Sequence, residues 1–216
     1  MITLYTYFRS SAAYRVRIAL HLKNLPHDHQ GVHLVNNGGE QHHPDYLALN
    51  PQGFVPSLMD NGQLFTQSLA ICEYLDETYP DPAFLPDTAI ARARVRSLAQ
   101  LIACDIHPVN NLRILKYLKK EFGADQAAID TWYRHWIEEG FSALELRLAS
   151  EQETGGFCHG DTPGLVDICL VPQVYNALRF KCDMNEYPTI QRIHAACEKL
   201  PAFISAHPDQ QADNDL

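Results

Sequence analysis

The chain has 216 residues, 46% of them apolar, enough for one large domain or two small ones with a real core. A formal net charge of −9 without any run of Lys or Arg excludes the basic face that nucleic-acid phosphates require. Apolar stretches are short, and "MITLYTYF" opens the chain with no basic segment leading into a long apolar one, so neither export nor membrane spanning is expected and the protein is read as cytoplasmic.

"ITLYTYF" has the composition of a strand. In "SAAYRVRIALHLK" Val16, Ala19, Leu20 and Leu22 fall on one helical face, and "HDHQGVHLV" reads as a second strand that completes a βαβ unit. "VPSLMDNGQLFTQ" places two short apolar runs around Asn61-Gly62, a pair suited to a tight hairpin because both central residues need positive φ. From Ser68, taken as a serine N-cap, Leu69, Cys72, Leu75 and Tyr79 recur at helical spacing. Pro80, Pro82 and Pro86 stop that helix and make an extended connection. Beyond it the periodicity is helical, with two long segments, shorter helices near 165–180 and 188–200, and a polar tail, "HPDQQADNDL", expected to fray. The expected organisation is an α/β domain over residues 1–80 in the order βαβ-ββα, a linker at 81–87 and an all-α domain over 88–216.

Six cysteines without a CxxC pair, in a chain large enough to fold without cross-links, read as reduced and mostly buried thiols. Eleven histidines raise the question of a metal, and His27, His29 and His33 share one face if their segment is a strand. Nothing nearby completes a cage, so no metal is expected and the histidines read as a solvated strand face.

The chemistry concentrates in "YFRSSAAYRVRIAL", where Arg9, Ser10 and Ser11 sit between a strand and a helix N-terminus. Such a terminus carries roughly half a positive charge and free N–H donors. Pro56 in "GFVPSL", between the βαβ unit and the hairpin, is placed to be a cis-proline that turns the Val55 N–H and C=O toward a peptide ligand. Gln67-Ser68 opens the next helix with a hydroxyl suited to a carboxylate. Taken singly, each feature has an ordinary reading: a surface cation, a strand-edge proline, a helix cap.

Taken together, "RSSAAYRVRIAL", "NPQGFVPSL", "QSLAICEYL", "CDIHPVNNLRILKYL", "GDTPGLVDICLVPQV" and "ALRFKCDMNEYP" closely resemble the zeta class of glutathione transferases over nearly the whole chain. The resemblance implies the glutathione transferase fold: a thioredoxin-like N-terminal domain that binds glutathione, an all-helical C-terminal domain that binds substrate, and a homodimer. It implies catalytic roles for Ser10, Ser11 and Asn111, with Ser10 donating to the glutathione sulfur. A free thiol has a pKa of about 8.5, and a hydroxyl donor with the helix dipole lowers it by favouring the thiolate. Glutathione contacts are implied for Gln41, the Val55 backbone, Gln67, Ser68, His107, Asn111 and Arg113, and substrate contacts for Arg9 and Arg179. Arg15 and Arg17 are expected to be structural, because helical spacing turns them away from the N-terminus.

The activity implied is glutathione-dependent cis-trans isomerisation of maleylacetoacetate to fumarylacetoacetate, a step of tyrosine and phenylalanine catabolism, without a metal. A dicarboxylate substrate needs local cations on an acidic protein, which Arg9 and Arg179 would supply. The alternatives are the same chemistry on maleylpyruvate, general zeta-type transfer to electrophiles, and a non-enzymatic binding protein. Leu112, where enzymes acting on maleylpyruvate can carry an arginine, favours the larger substrate, and the full set Ser10, Gln67, Ser68, Asn111 and Arg179 disfavours a mere scaffold. Two positions depart from the pattern. Ala12 stands where the family often has cysteine, leaving thiolate stabilisation to the serines and the backbone. Gly164 stands where a Ser or Thr cap usually precedes Asp167, a change costing only about a few tenths of a kcal/mol.

Overall fold

The computed structural model describes residues 1–214. Strand β1 (Ile2–Thr6) buries Ile2, Leu4 and Thr6 on one face, the period-two pattern of a half-covered strand. Helix α1 (Ser11–Leu22) carries the chain to β2 (His27–Gly31), which pairs in parallel with β1. A connection containing α2 (Pro44–Leu49) leads to β3 (Ser57–Asp60) and β4 (Gln63–Thr66), completing a four-stranded mixed sheet in the order β2-β1-β3-β4. Asn61 and Gly62 adopt φ of 49° and 79° in the β3–β4 turn, the conformation that the Asn-Gly pair favours.

Helix α3 (Ser68–Thr78) buries Ile71, Cys72 and Leu75. Its N-cap is Gln67, in a left-handed conformation with φ of 69°, rather than Ser68. The turn at Gln67 brings the chain into the helix one residue early, so Ser68 lies in the first turn with its side chain buried.

The helical part begins with α4 (Ala89–Gln100), where Thr88 Oγ1 accepts the Ala91 N–H at 3.2 Å. It runs on through π-helical turns, Leu101–Ile106, into α5 (His107–Val109). Then come α6 (Leu112–Phe122), α7 (Gln126–Ser150), α8 (Leu165–Arg179) and α9 (Pro188–Cys197). Ile137, Phe141 and Leu144 of α7, Ile168 and Leu170 of α8, and Ile190 and Ile193 of α9 are fully buried. A Cβ on Gly140 would lie 2.2 Å from Ile106 Cγ1, so the π-helical stretch meets α7 at a residue without a side chain. At the start of α8, buried Asp167 accepts the N–H groups of Gly164 at 2.8 Å and Cys158 at 3.0 Å. The carboxylate thereby makes the half of a capping box that needs no side chain at Gly164, while burial raises its pKa against the lowering effect of those bonds.

Two compact units result, one comprising residues 1–84 with the stretch from Lys199 onward, the other Leu85–Glu198. The sequence reading carries the helical domain to residue 216; in the structure α10 (Pro201–Ala206) packs on α1 in the first unit. The expected frayed tail is engaged too. Gln211 is buried and donates to the carbonyls of Ser205 and His207, both at 2.9 Å, and Asp213 Oδ2 accepts the Phe8 N–H at 2.9 Å. Its polar groups satisfy backbone groups rather than water. Residues 215 and 216 of that tail lie outside the described residues. Five of the six free cysteines are buried and Cys104 is exposed.

Candidate active site

The edge of the site is set by where β1 ends. Ser10, with φ −71° and ψ 116°, is the N-cap of α1, and its Oγ accepts the Ala13 N–H at 3.2 Å. That bond occupies an acceptor position and leaves the hydroxyl hydrogen available to donate. Ser11, largely buried, is the first helical residue. Arg9 is half-buried: Nη2 donates to the Tyr7 hydroxyl at 3.4 Å, and its guanidinium lies 5.3 Å from the centre of the Phe8 ring.

The loop carrying these residues is fixed from behind by Arg17, which is fully buried. Its Nη1 donates to Thr6 Oγ1 at 3.1 Å and to the Tyr7 carbonyl at 3.3 Å, its Nη2 to the Phe8 carbonyl at 2.9 Å, and its Nε to the Ala206 carbonyl at 3.0 Å. The structural role expected of Arg17 agrees with these bonds. Arg15 differs: its Nη1 donates to Ser68 Oγ at 3.2 Å, so it reaches a candidate site residue. Arg15 stands one turn after Ser11 on the same helical face, and it meets Ser68 where α1 packs on α3, a contact that spacing within α1 does not reveal.

Gln67 is exposed, and its Nε2 donates to Gln52 Oε1 at 2.8 Å. Gln41 is buried, and its Oε1 has no hydrogen-bond partner among the described residues. Gly39, at φ 106°, lies so close that an added Cβ would stand 2.5 Å from Gln41 Nε2. The segment before Pro56 is pinned by two donors to the Phe54 carbonyl, the Tyr46 hydroxyl at 2.6 Å and Asn50 Nδ2 at 2.9 Å. Val55 is buried and its bond to Pro56 is cis.

In the helical unit, half-buried His107 opens α5. Asn111 is the N-cap of α6, where its Oδ1 accepts the Arg113 N–H at 3.1 Å, and the Arg113 side chain is exposed. Arg179 ends α8, exposed, with Nη1 donating to Asn176 Oδ1 at 3.3 Å and its guanidinium 5.4 Å from the centre of the Phe180 ring. Phe180 in turn stacks on Tyr133, their ring centres 3.5 Å apart. Burial pushes the Tyr133 hydroxyl well above the usual phenol range.

His27 and His29 do share a face of β2, with Nε2 atoms 2.9 Å apart, but His33 lies past the strand and its Nδ1 accepts the N–H groups of Val35 and Asn36. Among the described residues no group of three or more His, Cys, Asp or Glu side chains is arranged to hold a metal ion. None of the described helices is long and apolar enough to cross a membrane.

A mixed sheet with a hydroxyl at the first helix start and a buried serine at the third defines the class: residues 4–83 match the glutathione S-transferase N-terminal domain. The chain is 52% identical to the probable maleylacetoacetate isomerase of Vibrio cholerae serotype O1, over 97% of each sequence. A solved maleyl pyruvate isomerase, described as a bacterial zeta-class glutathione S-transferase, is 49% identical with a TM-score of 0.95, covering 98% of this chain and 99% of that one. The maleylacetoacetate isomerase of Methylobacterium extorquens AM1, solved with malonate and GSH bound, is 40% identical with a TM-score of 0.95, covering 99% of this chain and 100% of that one. The chain belongs to the glutathione transferase family, in its zeta class.

Proposed function

We propose that the protein isomerises maleylacetoacetate to fumarylacetoacetate with glutathione as cofactor. The observation that carries this reading is Ser10, whose oxygen is engaged by the α1 N–H of Ala13 and whose hydrogen is left to donate at a helix N-terminus. The residues of the first unit suit the cofactor, since buried Gln41 offers an unfilled acceptor for an amide or ammonium group and Ser68, backed by Arg15, suits a carboxylate. When bound, glutathione would supply a thiolate nucleophile for reversible addition to the activated cis double bond, and would not be consumed.

The protein's own part is binding, orientation and electrostatics. Ser10, with Ser11 beside it, donates to the sulfur and, together with the α1 dipole, favours its ionised form. Gln41, the Val55 backbone, Gln67 and Ser68 hold the peptide and its γ-glutamyl end. His107, Asn111 and Arg113 contribute from the helical unit, and Arg9 and Arg179 supply the cations that bind the substrate carboxylates and stabilise charge developing next to the double bond. We place this work in the cytoplasm, where buried thiols stay reduced, and in a homodimer.

The 49% identical relative named for maleyl pyruvate makes that shorter diacid the second reading. Purified protein assayed with each diacid, with and without glutathione, decides between them. Product should form with glutathione present in catalytic amounts and at unchanged concentration. Stoichiometric loss of glutathione would replace the isomerase by a conjugating transferase.

A further inference from the structure

Arg15 is 1% exposed, yet it makes one hydrogen bond among the described residues, from Nη1 to Ser68 Oγ at 3.2 Å. Its Nε and Nη2 are buried without an acceptor, and it has no ion pair among the described residues. Arg17, two positions on and equally buried, meets four acceptors. A guanidinium withdrawn from water with a single partner and no counter-charge is costly, and the cost falls when an anion comes close.

The place where such an anion fits is the start of α3. This helix has 11 residues, and no side chain caps its first-turn N–H groups. Arg15 reaches into that turn through Ser68. A guanidinium can donate but cannot accept, so in this bond the Ser68 oxygen is the acceptor and its own hydrogen is directed elsewhere as a donor. Arg15 thus sets the direction of the Ser68 hydroxyl and adds a full charge to the partial charge of the helix end.

We propose that Arg15 is a positioning residue for carboxylate binding at Ser68: it fixes the hydroxyl as a donor and supplies the charge that makes the α3 N-terminus selective for an anion. The inference rests on the reading that the γ-glutamyl end of glutathione sits on Gln67 and Ser68, and it adds a buried residue that does not itself touch the ligand.

The test is calorimetric binding of two ligands, glutathione and its analogue with γ-aminobutyrate in place of γ-glutamate, which keeps the ammonium of that end and lacks only its carboxylate. Ser68→Ala should weaken glutathione more than the analogue; if it does not, the placement of the γ-glutamyl end is wrong and the inference falls with it. Arg15→Gln removes the charge and introduces an oxygen that can accept from Ser68, reversing the hydroxyl. It should weaken glutathione by about ten- to a hundredfold, the size of a lost hydrogen bond to a charged group, and leave the analogue within about twofold. Arg15→Lys keeps the charge with a poorer reach and serves where the glutamine variant does not fold, with a smaller loss again confined to glutathione. If Ser68→Ala discriminates between the ligands while the Arg15 variants weaken both alike, or neither, Arg15 only supports packing and the proposal is overturned.

Discussion

Arg17 holds Ala206 by a 3.0 Å bond from Nε to the last carbonyl of α10. The same guanidinium fixes the carbonyls of Tyr7 and Phe8, so the segment that leads into Ser10 and the end of the last helix share one anchor. Replacing Arg17 with Met keeps the bulk but leaves several buried acceptors unpaired. Loss of roughly 3–5 kcal/mol of stability is expected, as for breaking a buried charged network. Urea unfolding of the variant measures it, and a loss within error of zero would show that the anchor is dispensable.

Asp213 is the second tie on this loop, through the Phe8 N–H. Asp213→Ala should lower stability by about 1–3 kcal/mol, because a backbone donor loses a charged acceptor. Asp213→Asn retains an oxygen in the same place and should recover most of it. Thermal or urea unfolding of the pair checks the order, and equal losses would mean that the carboxylate acts through something other than this bond.

For the thiolate, the two serines should differ. Ser10 already accepts from Ala13, so Ser10→Ala removes both the outward donor and the helix cap. The pKa of bound glutathione should rise and turnover fall by the equivalent of about 1.5–3 kcal/mol, with roughly 1 kcal/mol of stability lost as well. Ser11→Ala should do less on both counts. Ultraviolet titration of the bound thiolate separates them, and a larger shift from Ser11 would reverse the assignment.

Met at Arg9 or Arg179 keeps most of the side-chain length and removes the donors proposed to bind the diacid. Each variant should raise KM for the diacid roughly ten- to a hundredfold while glutathione affinity hardly moves. Two titrations per variant, one in each ligand, give the answer. Collapse of glutathione affinity with the diacid unaffected would transfer these arginines to the cofactor.

A pH effect follows from His21. Burial, then the neighbouring His27, His29 and Arg17, lower its pKa from 6.5 to about 4. The unfolded chain therefore takes up this proton as pH falls through 6.5, while the folded chain resists until about 4. More protons are bound by the unfolded state in that window, so stability falls with pH there and the contribution levels off below it. His21→Gln should flatten the slope in unfolding free energy, leaving the part due to His29, whose pKa burial also lowers. An unchanged slope would show that His21 takes up its proton at the same pH in the folded and unfolded states.

Local chemistry made much of this legible in the sequence. Asn61-Gly62 announces its turn because few other pairs accept two positive φ values, and Ser10 announces a helix start because its side chain can bond the first-turn N–H groups. Other features depend on distant parts of the chain. Arg15 and Ser68 are 53 residues apart, and their bond exists only because α1 and α3 pack together. Gln67 gives no sign of its left-handed backbone, so the α3 cap falls one residue before the expected serine. The C-terminal polarity suggests solvent, whereas Gln211 and Asp213 use their polar atoms on the backbone of their own unit.

The first unit is assembled from both ends of the sequence, with Leu85–Glu198 intervening. During translation its sheet emerges before the helices of Leu85–Glu198, yet the Ala206 carbonyl and the Asp213 carboxylate that hold the Phe8 segment are made after them. The two ties of the N-terminal segment to Ala206 and Asp213 therefore cannot form until Leu85–Glu198 has been synthesised, so completing the first unit waits on the whole of the second.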